Sequence, residues 1–398
     1  MSSANPPVND TATMQRMEQA QSMKAIVFRQ FLDHRLAVVG AVIIAFLLTT
    51  ALCAPLISAL TGLSPESQNV GARYLLPFQK AVIPSDQREI AMEQWINAHP
   101  GEAAVLQKAL IERNLATGDE EEALYDVVTR DIVEAKQGLQ AIRDLPGGDE
   151  LVKMSQGWER FHVFGTDEIG RDVFIRLIYG ARVSIGVGLL VAFASGMIGF
   201  LIGSLAGFYG GLIDAFLMRV TDALLSLPIF PVLIVFAAID LNKIPWLSSL
   251  IGGEHESIFK MVMILCLFSW MTVARLVRGS ILSLREREFI LAARTLGARD
   301  RTIIARHLFP NVIAPMIVAI TLGVGESILF EAALSFLGLG IMPPAASWGN
   351  MLNNAQEVIY NNIWLAVLPG LMILITVVSF NFLGDGLQDA MDPKSIRR

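Results

Sequence analysis

Six mainly apolar stretches divide this chain, at 36–58, 182–208, 220–239, 258–277, 312–331 and 363–383. A bilayer core of about 30 Å is crossed by a helix of about 20 such residues, because no water is present there to satisfy the backbone. The chain therefore reads as an all-α integral membrane protein with six transmembrane helices. The fourth stretch has the shortest uncharged core, trimmed by Lys260 and Arg275, whose side chains reach polar surroundings from the helix ends. Composition agrees: 17% of the 398 residues are charged, whereas soluble domains run near a quarter.

The net charge of −6 is distributed unevenly. Basic residues gather before Leu36, from Arg275 to Arg306 and at the tail, while acids gather between Glu66 and Asp172. Because basic loops stay on the cytoplasmic side, both termini are expected in the cytoplasm. Residues 1–35 then form a cytoplasmic segment, polar to about Gln21 and amphipathic over "KAIVFRQFLDHR". Span one occupies 36–58, and 59–181 form an extracytoplasmic helical insert and a pre-span segment. A block of five spans covers 182–383, with a cytoplasmic loop at 278–311 and a tail at 384–398.

Within the insert, "REIAMEQWINAHP" reads as a helix ending at Pro100. "EEEALYDVVTRDIVEAKQGLQAI" reads as a second, with Leu124, Val127, Val128 and Ile132 at helical spacing and "GDEEEAL" at its positive end. "GTDEIGRD" alternates charge before span two and reads as an interfacial helix. Asp222 is expected to pair with Arg219. The glycines of span two, Gly186, Gly188, Gly196, Gly199, Gly203 and Gly207, suit close helix contact, either internal or with a second subunit.

Cys53 and Cys266 sit in separate apolar runs as small core residues, and no metal-ligand spacing is present. No GxxxxGK[ST] phosphate loop, HExxH or GxSxG occurs, and five histidines are scattered along the chain, which argues against a membrane hydrolase. A proton-coupled carrier using Asp222 or Glu331 is a rival class, but it leaves the basic loop unexplained. Glu326 and Glu331, toward one end of span five, are candidates for a gate or a substrate path.

The most informative stretch is "AARTLGARDRTIIARHLFPN", 292–311, with four arginines against one acid between two apolar spans. Ala292 and Ala293 allow another surface to approach, and Gly297 ends a short helix. A second short helix, about 300–307, runs to Pro310, which opens the next span without needing an amide hydrogen. The expected form is a stiff elbow between two membrane helices.

This stretch resembles the EAA loop of binding-protein-dependent ABC importer permeases, whose two alanines, glycine and proline match Ala292, Ala293, Gly297 and Pro310. Leu291 stands where many members carry glutamate, a looser form common in peptide-type permeases. "HRLAVVGAVII", "FGTDEIGRDVFIRLIYGARVSI", "SFLGLGIMPPAASWGNML" and "FLGDGLQDAMDPK" are similar to segments of the C-type permease of the dipeptide, oligopeptide and nickel branch, in the same order. The insert is outside the resemblance. The resemblance implies the type I importer permease fold and a bacterial inner-membrane location. It implies a homologous second permease forming a heterodimer, two cytoplasmic ATPases, an extracytoplasmic substrate-binding protein and the lipid bilayer as partners, and no nucleic acid. The chain itself holds no cofactor, ATP and magnesium being bound by the ATPases. Leu291, Ala292, Ala293, Arg294, Gly297, Arg299 and Pro310 are the implied ATPase-coupling residues, with Arg294 and Arg299 offering charge pairs. Peptides are the expected cargo, with nickel chelates, glutathione or oligosaccharides as alternatives.

Overall fold

A computed structural model describes residues 23–117, 119–239 and 256–391. The expectations for 1–21 and for the basic tail fall outside these residues. The chain runs α1 (Met23–Asp33), α2 (Arg35–Leu52), α3 (Ala54–Thr61), β1 (Gln79–Val82), α4 (Ser85–Ala98), α5 (Pro100–Glu112), α6 (Ala123–Thr129), α7 (Ile132–Ala141), α8 (Gly148–Gln156) and β2 (Glu159–His162). It continues through α9 (Val173–Tyr209), α10 (Gly211–Leu225), α11 (Ile229–Ala238), α12 (Glu256–Leu284), α13 (Glu288–Thr295), α14 (Asp300–Phe336), α15 (Trp348–Val358) and α16 (Trp364–Met391).

Five helices, α2, α9, α12, α14 and α16, are long and apolar enough to cross a membrane; α10 with α11 makes a sixth if that pair is one span. The expected straight helix at 220–239 is instead broken, α10 and α11 meeting at 85°. Pro228, extended at φ −67° and ψ 103°, supplies the reason: it precedes α11 and cannot donate the bond that would continue α10.

The chain divides into two units. The first comprises Met1–Leu52, Ala181–Asn350 and Gly370–Arg398. Here the helix contacts are set by glycine. A Cβ at Gly203 would lie 2.5 Å from the Ala274 carbonyl oxygen, and at Gly199 2.7 Å from Val273 Cβ, so α9 lies directly on α12. Gly188 and Gly196 sit equally close to Ile328 and Ile320 of α14. Internal packing thus explains these positions and Gly207, while Gly186 faces open space. Gly40 of α2 does the same against Ser379 of α16. Such approach matters in lipid, where van der Waals contact replaces the hydrophobic drive between helices. Two apolar clusters fill the unit, one around Leu265, Met271 and Leu334 and another around Val277, Ile281, Ile303 and Val312. The ion pairs of α10 also reach α12: Asp222 engages Arg275 and Asp214 engages Arg278. The expected Arg219–Asp222 pair is absent among the described residues, because the α12 guanidiniums offer fork-shaped donors.

The second unit comprises Cys53–Gly180 and Met351–Pro369. Its two strands are antiparallel with Val82 opposite Glu159, a ribbon that sequence reading missed in an otherwise helical chain. The ribbon closes off residues 83–158, whose core is drawn entirely from within that segment; Met92, Leu106, Leu110, Leu124, Val128 and Leu139 are fully buried. Burying each such side chain is worth about 1.5–3 kcal/mol. Pro100 does not merely stop α4; it also opens α5 at its first turn, where a missing amide hydrogen costs nothing. The second expected insert helix is split at Arg130 into α6 and α7. Asp131 caps α7 by accepting from Val133 N at 2.9 Å, whereas Glu122, at the N-cap of α6, makes no side-chain cap.

"GTDEIGRD" is a bridged turn rather than a helix. Gly165 and Gly170 have φ of +75° and +79°, and Thr166 pairs with Asp172. Inside it Arg171 donates to Asp167 at 2.6 Å and to Glu168 at 3.1 Å, and Asn354 donates to the same Glu168 at 2.8 Å. Asp172 caps α9 through Ile175 N and also meets His162 Nδ1 at 2.6 Å.

Candidate functional site

Two features of the first unit carry the chemistry: the basic elbow and a polar-lined cavity. The elbow begins at Arg287, extended at ψ 145°, and α13 follows with Glu288 in its first turn and Arg294 in its last, each favourable to the helix dipole. Ile290 is fully buried in the cluster that holds Ile281 of α12 and Ile303 and Val312 of α14. Ile290 therefore sets α13 into the apolar cluster that both long helices share. The opposite side remains uncovered: Phe289, Leu291 and Leu296 are 44%, 48% and 87% exposed, Ala292 is exposed and Ala293 half-buried.

The helix ends in a Schellman motif. Gly297 N donates to Arg294 O at 2.9 Å and Ala298 N donates to Ala293 O at 3.0 Å, with Gly297 at φ +81°. Gly297 does here what its position in the sequence suggested. Arg299, exposed and extended, leads into α14. Arg294 is spent internally, its guanidinium lying 4.8 Å above the Phe208 ring, while Arg299, Arg301 and Arg306 form no ion pair with another described residue. Arg285 adds a bond to Gly207 O at 3.2 Å.

Beyond the elbow the structure differs from the expected pair of helices. The chain is helical without interruption over Asp300–Phe336, widened into a π-helical stretch at Ile303–Leu308. Pro310 follows that stretch; the wider turn relieves the clash its ring makes with the preceding carbonyls. The elbow thereby leads directly into one continuous helix.

The cavity, about 310 Å³, is lined from α9 by Ser195, from α12 by Ser269 and Thr272, from α14 by Glu326 and Ser327, and from α16 by Gln388, among apolar residues. Ser269 and Ser327 donate to the carbonyls of Leu265 and Gly323, leaving their oxygens as acceptors. Glu326 is the one charged residue in the lining, and it is open to the cavity.

Glu331 is placed differently. Five residues further along α14, it turns away from Glu326 and is fully buried. Its carboxylate accepts from Ser184 Oγ at 2.9 Å and Ser335 Oγ at 2.8 Å; Ser184 in turn accepts from Trp348 N at 3.2 Å, and Ser335 from Ile341 N at 3.1 Å. Glu331 thus fastens α9, α14 and the 341–348 loop, and the structure does not bring the two glutamates to one place. Ser184 and Ser335 escaped notice as site residues, although each lies in a segment already singled out: "GARVSI" and "SFLGLG". The other acid weighed for proton carriage, Asp222, is held by Arg275 at 3.1 Å from Nε.

An elbow clamped to two long helices, beside a polar-lined cavity among spans, defines a multi-span membrane transport component. The family model for the binding-protein-dependent transport system inner membrane component matches residues 199–397, half of the chain, and the N-terminal TM domain of oligopeptide transport permease C matches residues 22–77. The chain belongs to this family of binding-protein-dependent permeases; it is a transport subunit, not an enzyme. Neither match includes residues 78–198, which hold the insert.

Among relatives, the dipeptide transport system permease protein DppC of Alkalihalophilus pseudofirmus is 40% identical over 60% of this chain and 74% of its own. That of Bacillus subtilis is 42% identical over 58% and 69%, and the oligopeptide transport system permease protein OppC of Bacillus subtilis is 37% identical over 58% and 72%. A chain of the MetNI methionine ABC transporter aligns with a TM-score of 0.38 and 20% identity, over 52% of this chain and 94% of its own.

Proposed function

We propose that this chain is one membrane-spanning half of an ATP-driven importer for dipeptides or oligopeptides. The observation that carries the reading is the elbow: exposed Leu291 and Leu296 on one side of α13, and buried Ile290 on the other. The exposed side is the docking face for a cytoplasmic ATPase. A push on α13 passes through Ile290 to α12 and α14, which line the cavity. Leu291, Ala292, Ala293, Arg299 and Gly297 form the contact and its hinge, and Pro310 marks where α14 regains α-helical form. Arg294 acts as an internal strut against Phe208.

Two ATPases bind ATP and magnesium and supply the closing stroke. A homologous permease completes the path as a heterodimer in the bacterial inner membrane, with both termini cytoplasmic, and a binding protein delivers cargo to the other side. The insert lies on that outer side. The peptide relatives favour peptide cargo over nickel chelates, glutathione or oligosaccharides.

The test is co-purification from gently solubilised membranes, followed by peptide uptake in proteoliposomes. Wild type retains a second permease and two ATPases and takes up peptide when ATP and the binding protein are supplied. Gly297→Trp keeps the permease partner and loses the ATPases. A chain that purifies alone, or takes up peptide without ATP, overturns the reading.

A further inference from the structure

Glu326 stands out because the elbow does not need it and the helix packing does not use it. It presents a carboxylate to a cavity of about 310 Å³, and the rest of the polar lining is hydroxyl and amide: Ser195, Ser269, Thr272, Ser327 and Gln388. It makes no ion pair and no hydrogen bond with a described residue, in contrast to Glu331, Asp214 and Asp222, each of which is engaged. The serines at 269 and 327 already donate their hydrogen bonds to backbone carbonyls, so what they show the cavity is oxygen lone pairs. A single negative charge with two serine oxygens beside it as acceptors, and with Ser195, Thr272 and Gln388 able to accept as well as donate, favours a cationic donor in surroundings poorer in water than bulk and disfavours an anion.

We infer that this cavity is a cation-recognition site whose ligand is the protonated amino group of the cargo, with Glu326 as its charge partner and the hydroxyl oxygens as further acceptors. In this half of the path, Glu326 is then a specificity-determining residue: it holds amine-bearing cargo while the surrounding spans move, and it penalises cargo whose amine is blocked. The identity of the amine as a peptide's N-terminus rests on the peptide-importer reading; the preference for a cation does not.

The experiment separates the two. In the assembled importer, with Cys53 and Cys266 replaced by alanine, Thr272→Cys supplies a thiol in the cavity lining. The rates of its modification by a cationic methanethiosulfonate (ethyltrimethylammonium) and an anionic one (ethylsulfonate) are compared with and without Glu326→Gln, with basal ATP hydrolysis as the check on assembly. The cation-to-anion rate ratio is expected to fall about tenfold in Glu326→Gln, the effect of one nearby charge at reduced dielectric, and to be restored by Glu326→Asp. In parallel, uptake of trialanine and N-acetyl-trialanine is measured and normalised to the binding protein's affinity for each. Wild type favours the free amine, and Glu326→Gln loses that preference. A reagent ratio that Glu326→Gln leaves unchanged overturns the inference even if peptides are imported. A shifted ratio with no peptide uptake by wild type supports the cation site and overturns the peptide reading instead.

Discussion

Gly297 allows the coupling account to be tested through backbone energy alone. Its φ is +81°, and a Cβ built on it would meet no atom within 4 Å, so a substitution there clashes with nothing. The cost is conformational: an L-residue in the left-handed region loses about 1–2 kcal/mol, asparagine less, and a β-branched residue more. A penalty of that size lowers the ratio of Schellman-terminated to opened elbow about 5- to 30-fold. Ile290 remains buried throughout, so α13 stays attached and the membrane fold is untouched. The predicted order of coupling, read as peptide transported per ATP in proteoliposomes, is Gly, then Asn, then Ala, then Val. Expression level and thermal midpoint should not change along the series. Full coupling in Gly297→Val would refute the hinge argument. A collapse in thermal stability of Gly297→Ala would show instead that the position matters for packing.

Removing Glu331 as Glu331→Ala leaves the buried hydroxyls of Ser184 and Ser335 without their acceptor, at about 1–3 kcal/mol for each unsatisfied group. A lowered thermal midpoint is expected, with Glu331→Gln losing less, and a double-mutant cycle with Ser184→Ala should show non-additivity. Replacing residues 83–158 by Asn-Gly should leave a closed β1–β2 hairpin, because Val82 and Glu159 are already opposite and that dipeptide favours the tight turn. Membrane insertion and ATPase co-purification should survive, and their loss would show that the insert is not self-contained. The insert should also become labile in acid. Hydrogen bonding and charge from Lys136 hold the Glu159 carboxyl below its usual value, and Asp126 is likewise lowered, burial opposing but the bonds from Thr117 and Arg130 prevailing. A carboxyl with a depressed folded pKa adds stability above its unfolded pKa, about 4, which is lost as pH falls through the folded one. Limited proteolysis of the intact chain should therefore cut within 83–158 faster below about pH 4, and Lys136→Met should reduce that pH dependence.

The membrane helices were legible because a bilayer asks for one thing, sustained apolar length, and the sequence shows it repeatedly. The elbow was legible because its signals are local: Gly297 at a helix end and arginines between apolar spans. Four features were not. The ribbon pairs four-residue strands separated by the whole insert, too short for alternation to register, and only Gly165 and Gly170 hinted that "GTDEIGRD" turns. The bend before α11 had its signal in Leu227–Pro228, outweighed in the reading by apolar length. Arg278, Arg275 and Ser184 reach Asp214, Asp222 and Glu331 from 64, 53 and 147 residues away, and no helical periodicity points across such distances; Ser335, four residues from Glu331, is the partner that helical spacing could have shown.

The most direct measurement is a cross-link from the tip of the elbow. Leu296 is 87% exposed and sits at the C-cap of α13, so Leu296→Cys carries a thiol on the proposed docking face without disturbing the core. In membranes from cells expressing the whole transporter, a short bifunctional thiol reagent should join this chain to an ATPase, and the yield should change when ATP is added. A cysteine on the buried side, at Ile290, should give no such product. If Leu296→Cys joins no ATPase, or joins one identically in the presence and absence of ATP, the elbow is not the coupling element.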